Sequence, residues 1–283
     1  MLVDHKAARD LLAFYAEAGV DALVGDAPAD HFAEEIPATP VSPAAPTAPA
    51  TATPSAKPPL NRARPQATPT ASATVLPPPD AAALEAREAA KRAASLDELR
   101  AIMNAFQGCA LRQTAKQLVF ADGNPAARVM FVGEAPGRDE DLAGLPFVGR
   151  SGKLLDRMLA AIGLDRTSAY ITNIIPWRPP GNRDPSVQET QICLPFILRH
   201  IELVDPDFLV CLGKPSAQTL LGVTEGIKRV RGRWMPFSTG SRDIRAMATL
   251  HPAYLLRSPL EKRLAWRDFV MIRQALASGK PRT

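Results

Sequence analysis

The chain has 283 residues, of which 46% are hydrophobic, and its three cysteines are Cys109, Cys193 and Cys211. Three cysteines are too few for a disulfide scaffold, and no apolar run approaches the roughly 18 residues of a membrane span, so we expect a cytoplasmic protein without a membrane anchor. Residues 1–84 carry five basic and nine acidic side chains, whereas the remainder has a net charge of +9, which favours an anionic partner such as nucleic acid.

The first 80 residues divide into two regions of different composition. Residues 1–36 include an amphipathic pattern that predicts a helix over 4–24, and we hypothesise that this helix binds a protein partner. Residues 37–80 hold 13 of the 28 prolines. Such a segment cannot bury enough surface to offset its ordering entropy, so we expect a disordered Pro/Ala/Thr-rich linker followed by one domain over 81–283.

Helical and strand patterns alternate through this domain. Helices are predicted over 81–94, 96–106, 152–162, 187–203, 215–221 and 259–277. Capping residues support several of them, including the box of Ser186 and Glu189 and a predicted cap at Ser258. Four short apolar runs indicate buried strands, over 127–132, 169–175, 207–212 and 244–250. The alternation predicts a three-layer αβα fold, which is an α/β fold with a central four-stranded parallel sheet.

Chemically distinctive residues follow these four strands. The segments are GEAPGRDED (133–141) and PFVGRSG (146–152) after the first strand, Asn173 and RPPGNR (178–183) at the second, GKPS (213–216) after the third and HPAYLLR (251–257) after the fourth. In parallel α/β sheets, ligands bind outside the carboxyl ends of the strands. We therefore expect these loops to converge on one edge of the sheet and to form a single site there.

Taken together, these segments resemble the uracil-DNA glycosylase superfamily and are most similar to its family 4. The resemblance covers about residues 100–275, in order. It implies a monofunctional DNA repair glycosylase that flips uracil out of DNA and hydrolyses its N-glycosidic bond, leaving an abasic site. The implied partner is uracil-containing DNA, and we expect a monomer that associates with the nucleoid through DNA.

The resemblance also implies roles in base recognition, which the chemistry supports. Phe147 would stack on the flipped base, and the Asn173 amide would donate to O4 and accept from N3–H, a pattern that cytosine reverses. A His251 N–H would stabilise negative charge at O2, and the ring need not be protonated to do so. The remaining implied base-pocket residues are Gly133, Ala135 and Gly137. Without the resemblance, the same residue types also fit ordinary structural roles.

Two carboxylates are candidates for orienting water. Glu134 follows the first strand directly and is the first choice, whereas Glu140 is equally compatible with a structural ion pair.

The expected DNA contacts come from two kinds of loop. Leu255, Leu256 and Arg257 resemble a wedge that enters the duplex, with one of the two leucines packed inward. Phosphates would meet backbone N–H groups at helix starts, which implicates Ser151, Gly213 and Lys214. A basic segment adds Arg229, Arg231 and Arg233 as phosphate contacts, with a solvated basic face as the alternative.

Family 4 proteins hold a 4Fe–4S cluster on four cysteines, and the chain departs from this pattern. The corresponding positions are Phe106, Cys109, Trp177 and Cys193, so two of the four thiolates are missing. We therefore predict that the chain has no iron–sulfur cluster and no other metal. Phe106 and Trp177 are expected to form a hydrophobic plug with two reduced thiols beside it.

Three alternative functions stay open at this point. The first is a DNA-binding module that kept the fold but lost turnover. The second is a protein that traps the abasic sugar covalently through a histidine, which is disfavoured because residues 228–234 contain no histidine. The third is a different α/β hydrolase, although the chain has neither a G-x-S-x-G elbow nor a G-x-x-x-x-G-K-S/T loop.

Overall fold

A computed structural model of the chain describes residues 78–278. The predicted helix over 4–24 and nearly all of the predicted linker over 37–80 lie outside the described residues. Within 78–278, no helix is both long enough and apolar enough to cross a membrane.

The described residues form a six-stranded sheet flanked by helices. The strands are β1 (Asp122–Gly123), β2 (Val129–Gly133), β3 (Tyr170–Asn173), β4 (Phe208–Leu212), β5 (Trp234–Ser238) and β6 (Asp243–Thr249). The helices are α1 (Pro79–Arg92), α2 (Leu96–Ala105), α3 (Leu111–Thr114), α4 (Arg138–Ala143), α5 (Arg150–Ala160), α6 (Val187–Val204), α7 (Lys214–Leu221), α8 (Ile227–Val230), α9 (Pro252–Arg257) and α10 (Lys262–Ser278). Short 3-10 turns occupy Pro180–Asn182 and Pro259–Glu261.

The strand order is β1-β3-β2-β4-β6-β5. Its four central strands are parallel and coincide with the four predicted strands, which confirms the predicted α/β class. The edge strands β1 and β5 are antiparallel and were not predicted from the sequence. Gly133 pairs with Asn173 and Leu212 pairs with Thr249, so the carboxyl ends of the central strands meet at one edge.

Alternate residues of each central strand face opposite layers, as the two-residue period of a strand requires. Met130 and Val132 point into the apolar cluster that contains the buried faces of α1, α2, α6 and α7. Val129 and Phe131 point into the cluster formed with α5 and α10. The result is the predicted three-layer αβα arrangement.

The predicted helices are present with boundaries shifted by up to three residues, and α5, predicted over 152–162, spans Arg150–Ala160. Helix α1 begins at Pro79 rather than 81, because proline fits the first helical position and Asp80 lies in the first turn. The box at the start of α6 is present, with the Glu189 N–H donating to Ser186 Oγ over 3.2 Å. The cap predicted at Ser258 is wrong, since its side chain makes no cap bond and α10 begins only at Lys262, after a 3-10 turn.

Candidate active site

A cavity of about 350 Å³ lies beyond the carboxyl ends of the central strands. Its walls bring together most of the predicted site residues, namely Glu134, Ala135, Gly137, Glu140, Phe147, Ser151, Asn173, His251 and Arg257. Gly133 lies against this cavity's polar and aromatic side chains. A Cβ added to Gly133 would come within 2.3 Å of Asn173 Oδ1 and 2.6 Å of Phe147 Cζ, so only glycine leaves room for both.

Phe147 is held in a strained backbone conformation that places its ring in the cavity wall. Its φ is +54°, in the left-handed region that costs a non-glycine residue roughly 1–2 kcal/mol. The Arg166 guanidinium donates to the carbonyl oxygens of Pro146 (3.0 Å) and Phe147. A Cβ on Gly152 would overlap the Phe147 carbonyl oxygen at 1.7 Å. The ring is 5.6 Å from the His251 ring and inclined to it by 33°, so both rings border the same space.

Asn173 ends β3 with its side chain buried at the cavity. In the part of the chain that the structure describes, its Oδ1 is the one buried side-chain oxygen or nitrogen atom without a hydrogen-bond partner. An unsatisfied buried acceptor costs about 1–3 kcal/mol. The hydrogen-bonding capacity of the Asn173 side-chain oxygen is therefore unused in this structure.

His251 presents a defined tautomer. Its Nδ1 accepts a hydrogen bond from the Ala253 N–H over 3.1 Å, which leaves the proton of the neutral ring on Nε2. Burial, and to a lesser degree the nearby Arg257 charge, lowers the pKa of His251 to about 4. The imidazole is therefore neutral at pH 7 and offers one N–H donor.

The two candidate carboxylates have different surroundings. Glu140 Oε2 accepts from the Gly137 N–H (3.1 Å), and its Oε1 accepts from the N–H groups of Val148 (3.1 Å) and Gly149 (2.9 Å). These bonds tie the two loops that follow β2 to each other and engage both carboxylate oxygens of Glu140. Burial, followed by the charge of Asp184, raises the pKa of Glu134, which lies at the cavity wall.

The wedge candidates on α9 face in different directions. Leu255 is fully buried and packs with Ala265, so it is the leucine that packs inward. The prediction that Leu255 contacts DNA is therefore wrong. Leu256 is 37% exposed, and Arg257 is also exposed.

Two of the groups predicted to contact phosphates are already hydrogen-bonded within the protein. The Gly213 N–H donates to the Thr249 carbonyl over 2.8 Å, so it is not free for a phosphate, whereas Lys214 is exposed at the start of α7. Arg231 is likewise unavailable, because its Nε donates to Asp268 Oδ2 over 2.9 Å within a buried ion pair.

A second cavity, also of about 350 Å³, adjoins the first and contains Gly213 and Lys214. Glu134, Asp184 and His251 line both cavities. Asp184 was not among the site residues predicted from the sequence. The available signal was its position, directly after the RPPGNR segment that it did single out.

The four positions that correspond to cluster ligands in family 4 are buried in one apolar cluster, namely Phe106, Cys109, Trp177 and Cys193. The Phe106 ring packs edge-on against Phe196, with the ring centroids 5.1 Å apart. The thiols of Cys109 and Cys193 share a hydrogen bond, which together with burial raises the pKa of Cys193 well above its usual value.

This donor set does not fit a 4Fe–4S cluster, which needs four thiolate ligands where only two thiols are present. Large aromatic side chains stand in place of the other two ligands. Across residues 78–278, no group of three or more His, Cys, Asp or Glu side chains is arranged to hold a metal ion.

Comparison with known proteins identifies similar chains over this region. The family model for the uracil-DNA glycosylase superfamily matches residues 120–271. The chain is 39% identical over 191 residues to the type-4 uracil-DNA glycosylase of Archaeoglobus fulgidus, which covers 66% of this chain and 96% of that protein. It is 38% identical to the type-4 enzyme of Saccharolobus solfataricus, covering 67% of this chain and 89% of that protein. For the type-4 enzyme of Thermotoga maritima the identity is 40%, over 53% of this chain and 77% of that protein.

Proposed function

The chain belongs to the uracil-DNA glycosylase superfamily and is similar to its type-4 members, and we propose that it excises uracil from DNA by hydrolysing the N-glycosidic bond. The observation that carries this proposal is the unpaired, buried Asn173 Oδ1 in a cavity bordered by Phe147 and His251. The proposed catalytic domain is 81–283, with 1–36 and 37–80 as an appendage. We also propose that the protein acts as a cytoplasmic monomer on uracil-containing DNA.

Recognition of uracil follows from the Asn173 amide. Its Oδ1 accepts from uracil N3–H while its Nδ2 donates to O4. Cytosine offers an acceptor at N3 and a donor at the 4-position. The amide oxygen would then face an acceptor and the amide nitrogen would face a donor, so neither hydrogen bond could form. The Phe147 ring supplies an apolar surface for stacking, and the flipped base can reach it only after leaving the duplex.

The reaction breaks the bond between C1′ of the deoxyribose and N1 of uracil. The bonding electron pair leaves with N1, so negative charge develops on the base and positive charge on the sugar. The His251 Nε2–H donates to O2 of the departing base and stabilises that negative charge. A water oxygen bonds to C1′ and its proton passes to the Glu134 carboxylate. The uracil anion then takes a proton from solvent, Glu134 releases its proton to solvent, and an abasic site remains.

The proposed duplex contacts are those whose groups are free in the structure. Leu256 would enter the space that the flipped nucleotide vacates, as apolar wedges do elsewhere. Lys214 and Arg257 would contact phosphates, and Ser151 at the start of α5 lies at the rim of the cavity.

We propose that this chemistry proceeds without an iron–sulfur cluster, because the donor set lacks two thiolates and no step above needs one. Purified protein is expected to be colourless and to contain no stoichiometric iron. Iron bound at about four atoms per chain, with absorbance near 400 nm, would contradict this part of the proposal.

The function is tested with a labelled duplex that contains a single uracil, incubated with the protein in the presence of EDTA and then treated with alkali to cleave abasic sites. Strand cleavage at the uracil is expected, whereas duplexes with cytosine or thymine at that position should stay intact. Binding without cleavage would favour the non-catalytic alternative. An adduct that survives denaturation would favour covalent trapping.

A further inference from the structure

We propose that Asp184 is a second carboxylate of the hydrolytic site and lies with Glu134 beside the deoxyribose of the flipped nucleotide. This inference rests on the proposed function and adds a residue and an electrostatic role to it. It starts from the two adjoining cavities at the carboxyl edge of the sheet.

The two cavities fit two parts of one nucleotide. The first contains the base-recognition residues Phe147 and Asn173, and the second contains Lys214. If the base lies in the first cavity and a phosphate lies near Lys214, the nucleotide spans the boundary between the two cavities. The part of the nucleotide at that boundary is the sugar. Residues common to both cavities form that wall: Glu134, Ala135, Asp184, His251, Ala253 and Arg257.

The backbone of Asp184 is anchored on both sides, so its place in the wall is fixed. Arg183 forms two hydrogen bonds to the Glu189 carboxylate, at 2.8 and 2.6 Å, and donates to the Asp184 carbonyl oxygen over 3.0 Å. Ser186 caps the start of α6, and its side-chain oxygen accepts from the Glu189 N–H. The guanidinium nearest in sequence is thus committed to Glu189, and it does not neutralise Asp184.

The charges around Glu134 define what Asp184 adds. The charged and titratable side chains that share cavity walls with Glu134 are Asp184, Glu140, Arg183, Lys214, His251, Tyr254 and Arg257. His251 is neutral, and Asp184 is the carboxylate whose negative charge acts on Glu134 through space. A second carboxylate here would favour the cationic sugar of the transition state and make Glu134 a stronger base.

The test compares Asp184→Asn with the wild type and with the control Asp243→Asn, a loss of the same charge at the start of β6, at the opposite end of that strand from the site. Single-turnover excision of uracil is measured across pH, together with DNA affinity and melting temperature. Asp184→Asn should lower the excision rate about tenfold while DNA affinity stays equal or rises, because a negative charge near the phosphates has been removed. Asp243→Asn should leave all three unchanged.

The pH profile gives a second readout, because the expected direction of its shift can be derived from the charge of Asp184. Glu134 acts as a carboxylate, so the rate falls as pH decreases through its pKa, and the Asp184 charge holds that pKa up. Asp184→Asn should therefore shift the acid limb to lower pH, by about half a unit. Asp184→Glu, which keeps the charge, should leave the limb close to its wild-type position.

The possible outcomes distinguish the role of Asp184 from the proposed excision of uracil. If the wild type excises uracil but Asp184→Asn leaves the rate and the acid limb unchanged, the inference fails and the proposed function stands. Parallel losses of rate, affinity and melting temperature would show a structural role and would also overturn it. A wild type that releases no uracil would refute the proposed function and the inference with it.

Discussion

At the residue scale, the chemistry of His251 is set by one backbone contact and by burial. Because the Nδ1 atom accepts from the Ala253 N–H, the neutral ring can donate only from Nε2. A pKa of about 4 keeps the ring neutral through the physiological range. Protonation of His251 should therefore affect the excision rate only as pH falls toward about 4, with no inflection at the usual histidine value near 6.5.

Replacing His251 tests its role as the donor to the leaving base. His251→Ala should reduce the single-turnover rate by roughly 10²–10³, the usual effect of losing one donor to a developing anion, while DNA affinity changes little. His251→Gln keeps an N–H donor and should recover part of the rate. Equal rates in the wild type and His251→Ala would remove this residue from the reaction.

Asn173 tests base recognition separately from catalysis. Asn173→Asp replaces the amide donor to O4 with a carboxylate oxygen, which also repels the uracil anion. Uracil excision should fall at least about tenfold and the preference for uracil over cytosine should narrow. Asn104→Asp, at an exposed position of α2, is the matched control and should behave like the wild type. Unchanged excision with unchanged discrimination in Asn173→Asp would contradict the assignment.

The sequence predicted some site residues and not others, for identifiable reasons. Asn173 and His251 stand at the ends of parallel strands, where topology alone brings them to one edge. For Glu140, the sequence left water orientation and a structural ion pair open, because it does not show the three backbone N–H groups that surround the carboxylate. The left-handed conformation of Phe147 depends on Arg166, a contact between residues 19 positions apart that no local pattern reveals.

At the scale of elements, the central strands were predictable because β2, β3 and β4 are buried on both faces and β6 is buried over its last four residues. The edge strands were not, since β1 has two residues and β5 contains Pro236 and buries mainly Phe237. Proline and alternating exposure weaken the strand signal at an edge. The start of α10 was misplaced because the capping pattern at Ser258 is also compatible with a 3-10 turn.

Helix α9 offers a direct test of the wedge, because its two leucines have opposite surroundings. Leu256→Ala should reduce excision from double-stranded DNA about tenfold and have little effect on single-stranded DNA, where no stack has to be opened. Leu255→Ala should instead lower the free energy of unfolding by about 2–5 kcal/mol, since that side chain is fully buried. Comparable losses on both DNA forms for Leu256→Ala would contradict a wedge role.

At the scale of the whole molecule, Phe106 and Trp177 stand where family 4 proteins have cluster cysteines, and we expect their burial to stabilise the domain. Trp177 is 2% exposed, and its removal would leave a large cavity in the core that also contains Phe106. Trp177→Ala should lower the free energy of unfolding in urea by roughly 3–5 kcal/mol. Trp266, which is 50% exposed, is the matched control, and Trp266→Ala should change stability by less than about 1 kcal/mol. Similar effects in both variants would show that Trp177 does not fill a core position.

In the proposed reaction, side chains and water alone release an intact base from DNA. The most direct measurement is a single-turnover reaction on a uracil-containing duplex, in EDTA, in which free uracil is quantified by chromatography and abasic sites by alkaline cleavage. We expect free uracil and abasic sites in equal amounts, and neither product from the matched cytosine duplex. Absence of free uracil, or activity that requires an added divalent ion, would contradict the account.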